Sequence, residues 1–149
     1  MLDRLLSDTP NSSAIPRAAA PVGSGNGRRF TFVSEEVFAG ILCLERKRAE
    51  RSGKLLVLML LEADALLQTE TGVLQNIVEA LFSTTRETDV IGWHKEGSVI
   101  GVLLTEMGEA ERKVIAKTIL ARTDAALSRH LGRRFSKEIT ILLHFFPED

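Results

Sequence analysis

Glu62 and Asp64 stand two residues apart at the end of an apolar run, and carboxylates so placed supply the hard oxygen ligands that a divalent cation takes. The same pair suits an ordinary polar cap on a strand, which is the stronger reading, so Glu62 and Asp64 are weak metal candidates and no cofactor is expected. Arg86 and Asp89, three apart, can pair as a surface salt bridge worth well under about 1 kcal/mol. Trp93, the sole tryptophan, precedes His94. Amphipathic aromatics anchor interfaces, so Trp93 and His94 are candidates for contact with a protein partner, although core filling is the commoner use of such a tryptophan. His94, His130 and His144 fall on separate elements, none has a Cys or His at metal-ligand spacing, and no nucleophile motif is present. No catalytic residue is assigned. Cys43 lies in a helical apolar pattern and reads as a buried structural thiol. Arg129, Arg133 and Arg134 gather near a helix end, where they complement its dipole.

The elements that hold these residues follow from periodicity. Three of four prolines and the run Gly23-Ser24-Gly25-Asn26-Gly27 fall in the first 27 residues, so residues 1–29 read as a flexible tail and 30–149 as one domain. Ser34 caps a helix with Glu35 and Glu36 against its N-terminal dipole, and that helix runs to about Arg51 before Ser52-Gly53. The continuous run Leu55 to Leu61 predicts a central strand covered on both faces, within Lys54 to Ala63. A helical pattern spans about Gly72 to Thr85. Val90 to His94 and Val99 to Leu104 form a hairpin around Lys95-Glu96-Gly97-Ser98, where Gly97 takes a positive φ. A helix over roughly Glu109 to Leu131 ends at Gly132, with Ile115, Ile119, Leu120, Ala126, Leu127 and Leu131 on its buried side. A strand from Glu138 to Phe146 closes at Pro147. The resulting order, strand-helix-strand-strand-helix-strand after an extra N-terminal helix, is a ferredoxin-like βαββαβ, α/β (α+β) arrangement with both core helices on one face.

Composition narrows the function classes. Lysine and arginine total 19 against 20 acidic residues, a net charge of -1, which offers no broad field for nucleic acid. The longest apolar run is far short of the roughly 18 residues of a membrane span. The expectation is a cytoplasmic protein without membrane insertion.

Several runs resemble a GGDEF (diguanylate cyclase) domain over about residues 34 to 149. Leu44-Glu45-Arg46-Lys47-Arg48-Ala49-Glu50-Arg51-Ser52-Gly53 resembles the family's lead-in helix. Arg86-Glu87-Thr88-Asp89 matches its RxxD motif, and the hairpin falls five residues later, at the place of the GGDEF signature. Thr140 to Pro147 resembles its closing strand. The resemblance implies a nucleotidyl-cyclase core, and RxxD implies a site where Arg86 and Asp89 bind cyclic di-GMP through guanine edges and phosphate.

The departures imply loss of activity. Where the family's signature brings glycine backbone and an acidic pair to nucleotide and metal, this chain reads Lys95-Glu96-Gly97-Ser98-Val99, and neither hydroxyl nor glycine replaces a carboxylate on Mg²⁺. The family's D-x-D-x-F-K run is here Glu62-Ala63-Asp64-Ala65-Leu66-Leu67, with leucine at the phosphate-binding lysine. The family's guanine-recognising Asn and its terminal A-L-Y-x-A-K segment have no counterpart, so 30–149 reads as a degenerate, C-terminally shortened GGDEF-like domain. The resemblance thus implies a catalytically inactive regulatory or interaction module in bacterial signalling, acting on a protein partner. The alternative is a cyclic di-GMP sensor at Arg86 and Asp89, with residual cyclase activity last.

Overall fold

The computed structural model describes residues 19–23, 29–105, 107–108 and 110–148. Eleven elements follow one another there: β1 (Ala19–Gly23), β2 (Arg29–Val33), α1 (Glu35–Ser52), β3 (Leu56–Glu62), α2 (Asp64–Thr69), α3 (Val73–Phe82), β4 (Val90–Lys95), β5 (Val99–Leu104), α4 (Arg112–Leu131), α5 (Arg133–Ser136) and β6 (Thr140–Phe146). The sheet order is β1-β2-β4-β5-β3-β6. Within it β4, β5, β3 and β6 are antiparallel neighbours, with α3 and α4 as crossovers, which is the mixed α/β cyclase-type core that the element order predicts.

The uninterrupted apolar run of β3 has a direct physical use. Val57, Met59 and Leu61 face a core built with Ile77, Leu81 and Phe82 of α3 and Ile115, Ile119 and Leu127 of α4. Leu56, Leu58 and Leu60 face the opposite side, where they pack with Phe38 and Ala49 of α1. Strand residues alternate between faces, so only a strand buried on both sides needs an unbroken apolar sequence. Helix α1 is bounded as expected: Ser34 Oγ accepts from Val37 N at 3.2 Å, and Gly53, at φ 77°, donates its N–H to Ala49 O.

Two glycines set the closeness of layers. Gly92 of β4 and Gly101 of β5 are cross-strand partners. A Cβ on Gly101 would stand 2.5 Å from Cζ of Phe38, and one on Gly92 would stand 2.5 Å from the carbonyl oxygen of Val33 in β2. The pair leaves a trough into which α1 and β2 settle.

Four differences from the sequence reading have simple causes. The tail assigned to residues 1–29 contains β1, whose backbone pairs antiparallel with β2 from Ala19↔Val33 to Gly23↔Arg29, while β2 lies parallel to β4. The rest of that tail, residues 1–18 and 24–28, lies outside the described residues. A short helix, α2, follows β3 directly. Cys43 is exposed rather than buried, since α1 covers the sheet with one face only. Leu120 is exposed as well, because the apolar arc of α4 is wider than the surface beneath it. No helix among the described residues is long and apolar enough to cross a membrane.

Candidate functional site

The end of β3 meets the β4–β5 hairpin. Ala63 donates its N–H to Ser98 O at 3.1 Å, and the turn closes on itself through Ser98 N to Lys95 O at 3.0 Å with Gly97 at φ 83°. Between this turn and α2 lies a groove of about 550 Å³, lined by Asp64, Leu67, Gln68, Leu74, Trp93, Glu96, Gly97 and Ser98. Its two ionisable side chains are both carboxylates. Asp64, at the start of α2, accepts from Gln68 Nε2 at 2.8 Å, an i,i+4 contact that positions it on the helix surface. Glu62 is exposed at the last position of β3. Among the described residues no three His, Cys, Asp or Glu side chains are grouped to hold a metal ion. Backbone N–H of Glu96 donates to Glu35 Oε1 at 2.8 Å, which ties the hairpin tip to the first turn of α1.

The Arg86–Asp89 turn is held from within. Asp89 N donates to Arg86 O at 2.9 Å, and Arg86 N donates to Asp89 Oδ2 at 2.8 Å. Asp89 Oδ1 accepts from Thr105 N at 3.3 Å and lies 3.8 Å from the Arg86 guanidinium, which itself donates to Thr105 O. The Asp89 side chain is 3% exposed and that of Arg86 52%. The carboxylate therefore fastens the loop to the end of β5, and the guanidinium presents its remaining donors outward. The structure brings Arg86 and Asp89 together as the spacing implied.

Trp93 and His94 diverge. Trp93 is 8% exposed and meets Phe32 of β2 edge-on, with centroids 5.4 Å apart. Its ring fills the core where β2 joins β4, the commoner of the two uses that the sequence offered for it. The joining strand, β2, lies almost wholly inside the 30–149 domain, but at five residues it is too short to show a period. His94, partly exposed on the opposite face, stands edge-on to Phe38 at 6.3 Å beside Glu35, Arg46 and Glu50.

No family model matches the sequence, and no curated protein matches it. Solved structures do match. A DGC protein from Thermotoga maritima superposes with a TM-score of 0.62 at 16% identity, over 79% of this chain and 84% of its own. The GGDEF domain of DgcB from Caulobacter crescentus, in complex with c-di-GMP, gives 0.56 at 19% identity over 84% of this chain and 80% of its own. The chain has the GGDEF fold. Diguanylate cyclase SiaD from Pseudomonas aeruginosa, in complex with its activator SiaC, gives 0.54 at 25% identity over 76% of this chain, which spans 46% of SiaD.

In this GGDEF-like domain the groove beside the hairpin occupies the place that the resemblance assigned to catalysis. Leu67, the residue that the resemblance sets at the family's lysine, lines that groove. Of the two carboxylates that the sequence reading named, Asp64 lines the groove and Glu62 does not, and Leu74 and Trp93 were missed as its walls, since only the tertiary path of α3 and β4 brings them in.

Proposed function

We propose that this GGDEF-like domain does no cyclase chemistry and acts as a regulatory module through protein–protein contacts. The observation that carries this reading is the groove between α2 and the hairpin, whose lining holds Asp64 and Glu96 beside Leu67, Leu74 and Trp93 and, among the described residues, includes no lysine or arginine. Phosphoryl transfer is accelerated by cations that offset charge on the phosphates and on the developing transition state. The two carboxylates against an apolar wall give a triphosphate no cationic side chain to pair with. The SiaD structure, in which a diguanylate cyclase is in complex with an activator protein, is in keeping with a GGDEF fold that meets a protein partner. Incubation with GTP and Mg²⁺ or Mn²⁺ is expected to give no cyclic di-GMP above a heat-treated control. Product above that control overturns the reading.

A second reading, cyclic di-GMP capture at Arg86 and Asp89, is favoured by the outward half of the Arg86 guanidinium. Against it stands Asp89, whose two oxygens already accept from Arg86 N and Thr105 N, so a ligand must displace those bonds before Asp89 can read a guanine. Calorimetric titration with cyclic di-GMP decides between them. Micromolar binding that vanishes in Arg86→Ala establishes the sensor, and no heat leaves the protein-contact module.

A further inference from the structure

Strand β6 ends the sheet, and among the described residues no strand pairs with its outer edge. Its seven residues pair one-to-one with β3, from Glu62↔Thr140 to Leu56↔Phe146, with no register shift. The free edge is thus an unbroken row of backbone donors and acceptors about 23 Å long, at about 3.3 Å per residue. Exposed edges are ordinarily guarded by lysine, proline or a bulge. Strand β1, at the other edge, carries Pro21, which has no N–H to offer. Strand β6 reads Thr-Ile-Leu-Leu-His-Phe-Phe and has none of these guards.

Exposed apolar side chains include one at the same edge. Four large ones are exposed among the described residues, and one of them, Leu142 at 40%, belongs to β6 itself. Leu142 lies on the face away from the α3–α4 layer, because its neighbours Ile141 and Leu143 pack into that layer. Leu120 belongs to the row Arg112, Ala116, Leu120 at steps of four along α4. Arg112 at the head of the row lies over the Phe145 ring of β6, 5.6 Å from its centroid. Arg122, on the other flank of α4, reaches Thr84 beyond the end of α3 at 3.0 Å.

We propose that β6 is the seam of a symmetric dimer, paired antiparallel with β6 of a second copy. The strand complements itself. About a two-fold axis through Leu143, Ile141 of one copy faces Phe145 of the other, Leu142 faces His144, and Leu143 meets its own equivalent. Branched-aliphatic and aromatic cross-strand pairs are favourable, and a strand without Lys, Arg, Asp or Glu brings no like charges together. A second copy fits better than a foreign strand because one two-fold pairing closes the β6 edges of both copies at once and leaves outermost only β1, which carries Pro21. It also covers Leu142 in both copies. The proposal rests on the domain being a protein-contact module, yet fails separately from it, since self-association is read as a mass and cyclase activity as a nucleotide product.

Multi-angle light scattering of the whole chain across a concentration series tests it. The expected result is a dimer that Leu142→Lys converts to monomer, with dissociation strengthened about tenfold or more, while Leu44→Lys, on the outer side of α1, leaves it intact. Amide exchange of β6 in the unaltered chain gives a second readout, and alternate amides are expected to gain protection as concentration rises. A monomer at every concentration, a dimer unchanged by Leu142→Lys, assembly beyond the dimer, or β6 exchange independent of concentration overturns the proposal. None of these outcomes alters the cyclase assay.

Discussion

Asp89 does at one position what a loop otherwise needs several residues to do: its carboxylate accepts two backbone N–H groups, one from its own turn and one from Thr105 across the sheet end. Replacement by alanine removes both bonds, an exposed one from Arg86 N and a half-buried one from Thr105 N, and a destabilisation of about 1–2 kcal/mol is expected in urea unfolding. Arg86→Ala, which removes a half-exposed side chain and leaves the carboxylate bonded, should move stability by less than about 1 kcal/mol. Thr85 predicts the opposite sign. Its Oγ1 is buried and has no hydrogen-bond partner, so Thr85→Val is expected to leave the melting temperature unchanged or raise it, by up to about 1 kcal/mol of added stability. The R-x-x-D spacing was legible in the sequence. Its engagement with Thr105 was not, because that contact spans 16 residues and exists only once β4 and β5 have paired.

At the scale of elements, local chemistry carried the reading far. Ser34, Gly53, Gly97 and Gly132 mark boundaries where a cap or a positive φ is required, and each stands at the boundary read from it. The Ser34 cap gives a direct test: Ser34→Ala removes the acceptor for Val37 N and is expected to lower stability by about 1 kcal/mol in thermal unfolding. What remained illegible depends on partners distant in sequence. The parallel pairing of β2 with β4 buries Trp93 through Phe32, and no periodicity in either segment announces it. Cys43 and Leu120 misled for one reason, since helical periodicity defines an apolar arc but not how much of that arc the sheet covers.

For the whole molecule, β3 is a shared wall. One of its faces belongs to the α3–α4 core and the other to the α1 core, so neither core can be lost without exposing the strand that supports the second. Unfolding is therefore expected as one transition, with tryptophan fluorescence and far-ultraviolet dichroism giving coincident curves. The single tryptophan makes the comparison direct: Trp93 reports from one place, the junction of β2 and β4, whereas the dichroism reports on all the helices together. Separate curves would mean that the β1–β2 end melts on its own. The fold class was open to sequence reading because the element order admits few sheet topologies. The chemistry of the groove was less so, since its character depends on which side chains four elements bring to one wall.

The glycine pair in the trough constrains how this sequence can change over generations. Alanine at Gly101 collides with the ring of Phe38, but a chain that has first traded Phe38 for a smaller residue could accept it. Alanine at Gly92 meets the backbone of Val33, which no single side-chain replacement moves aside. Of two cross-strand neighbours that look interchangeable on paper, one is open to drift by a two-step route and the other is closed.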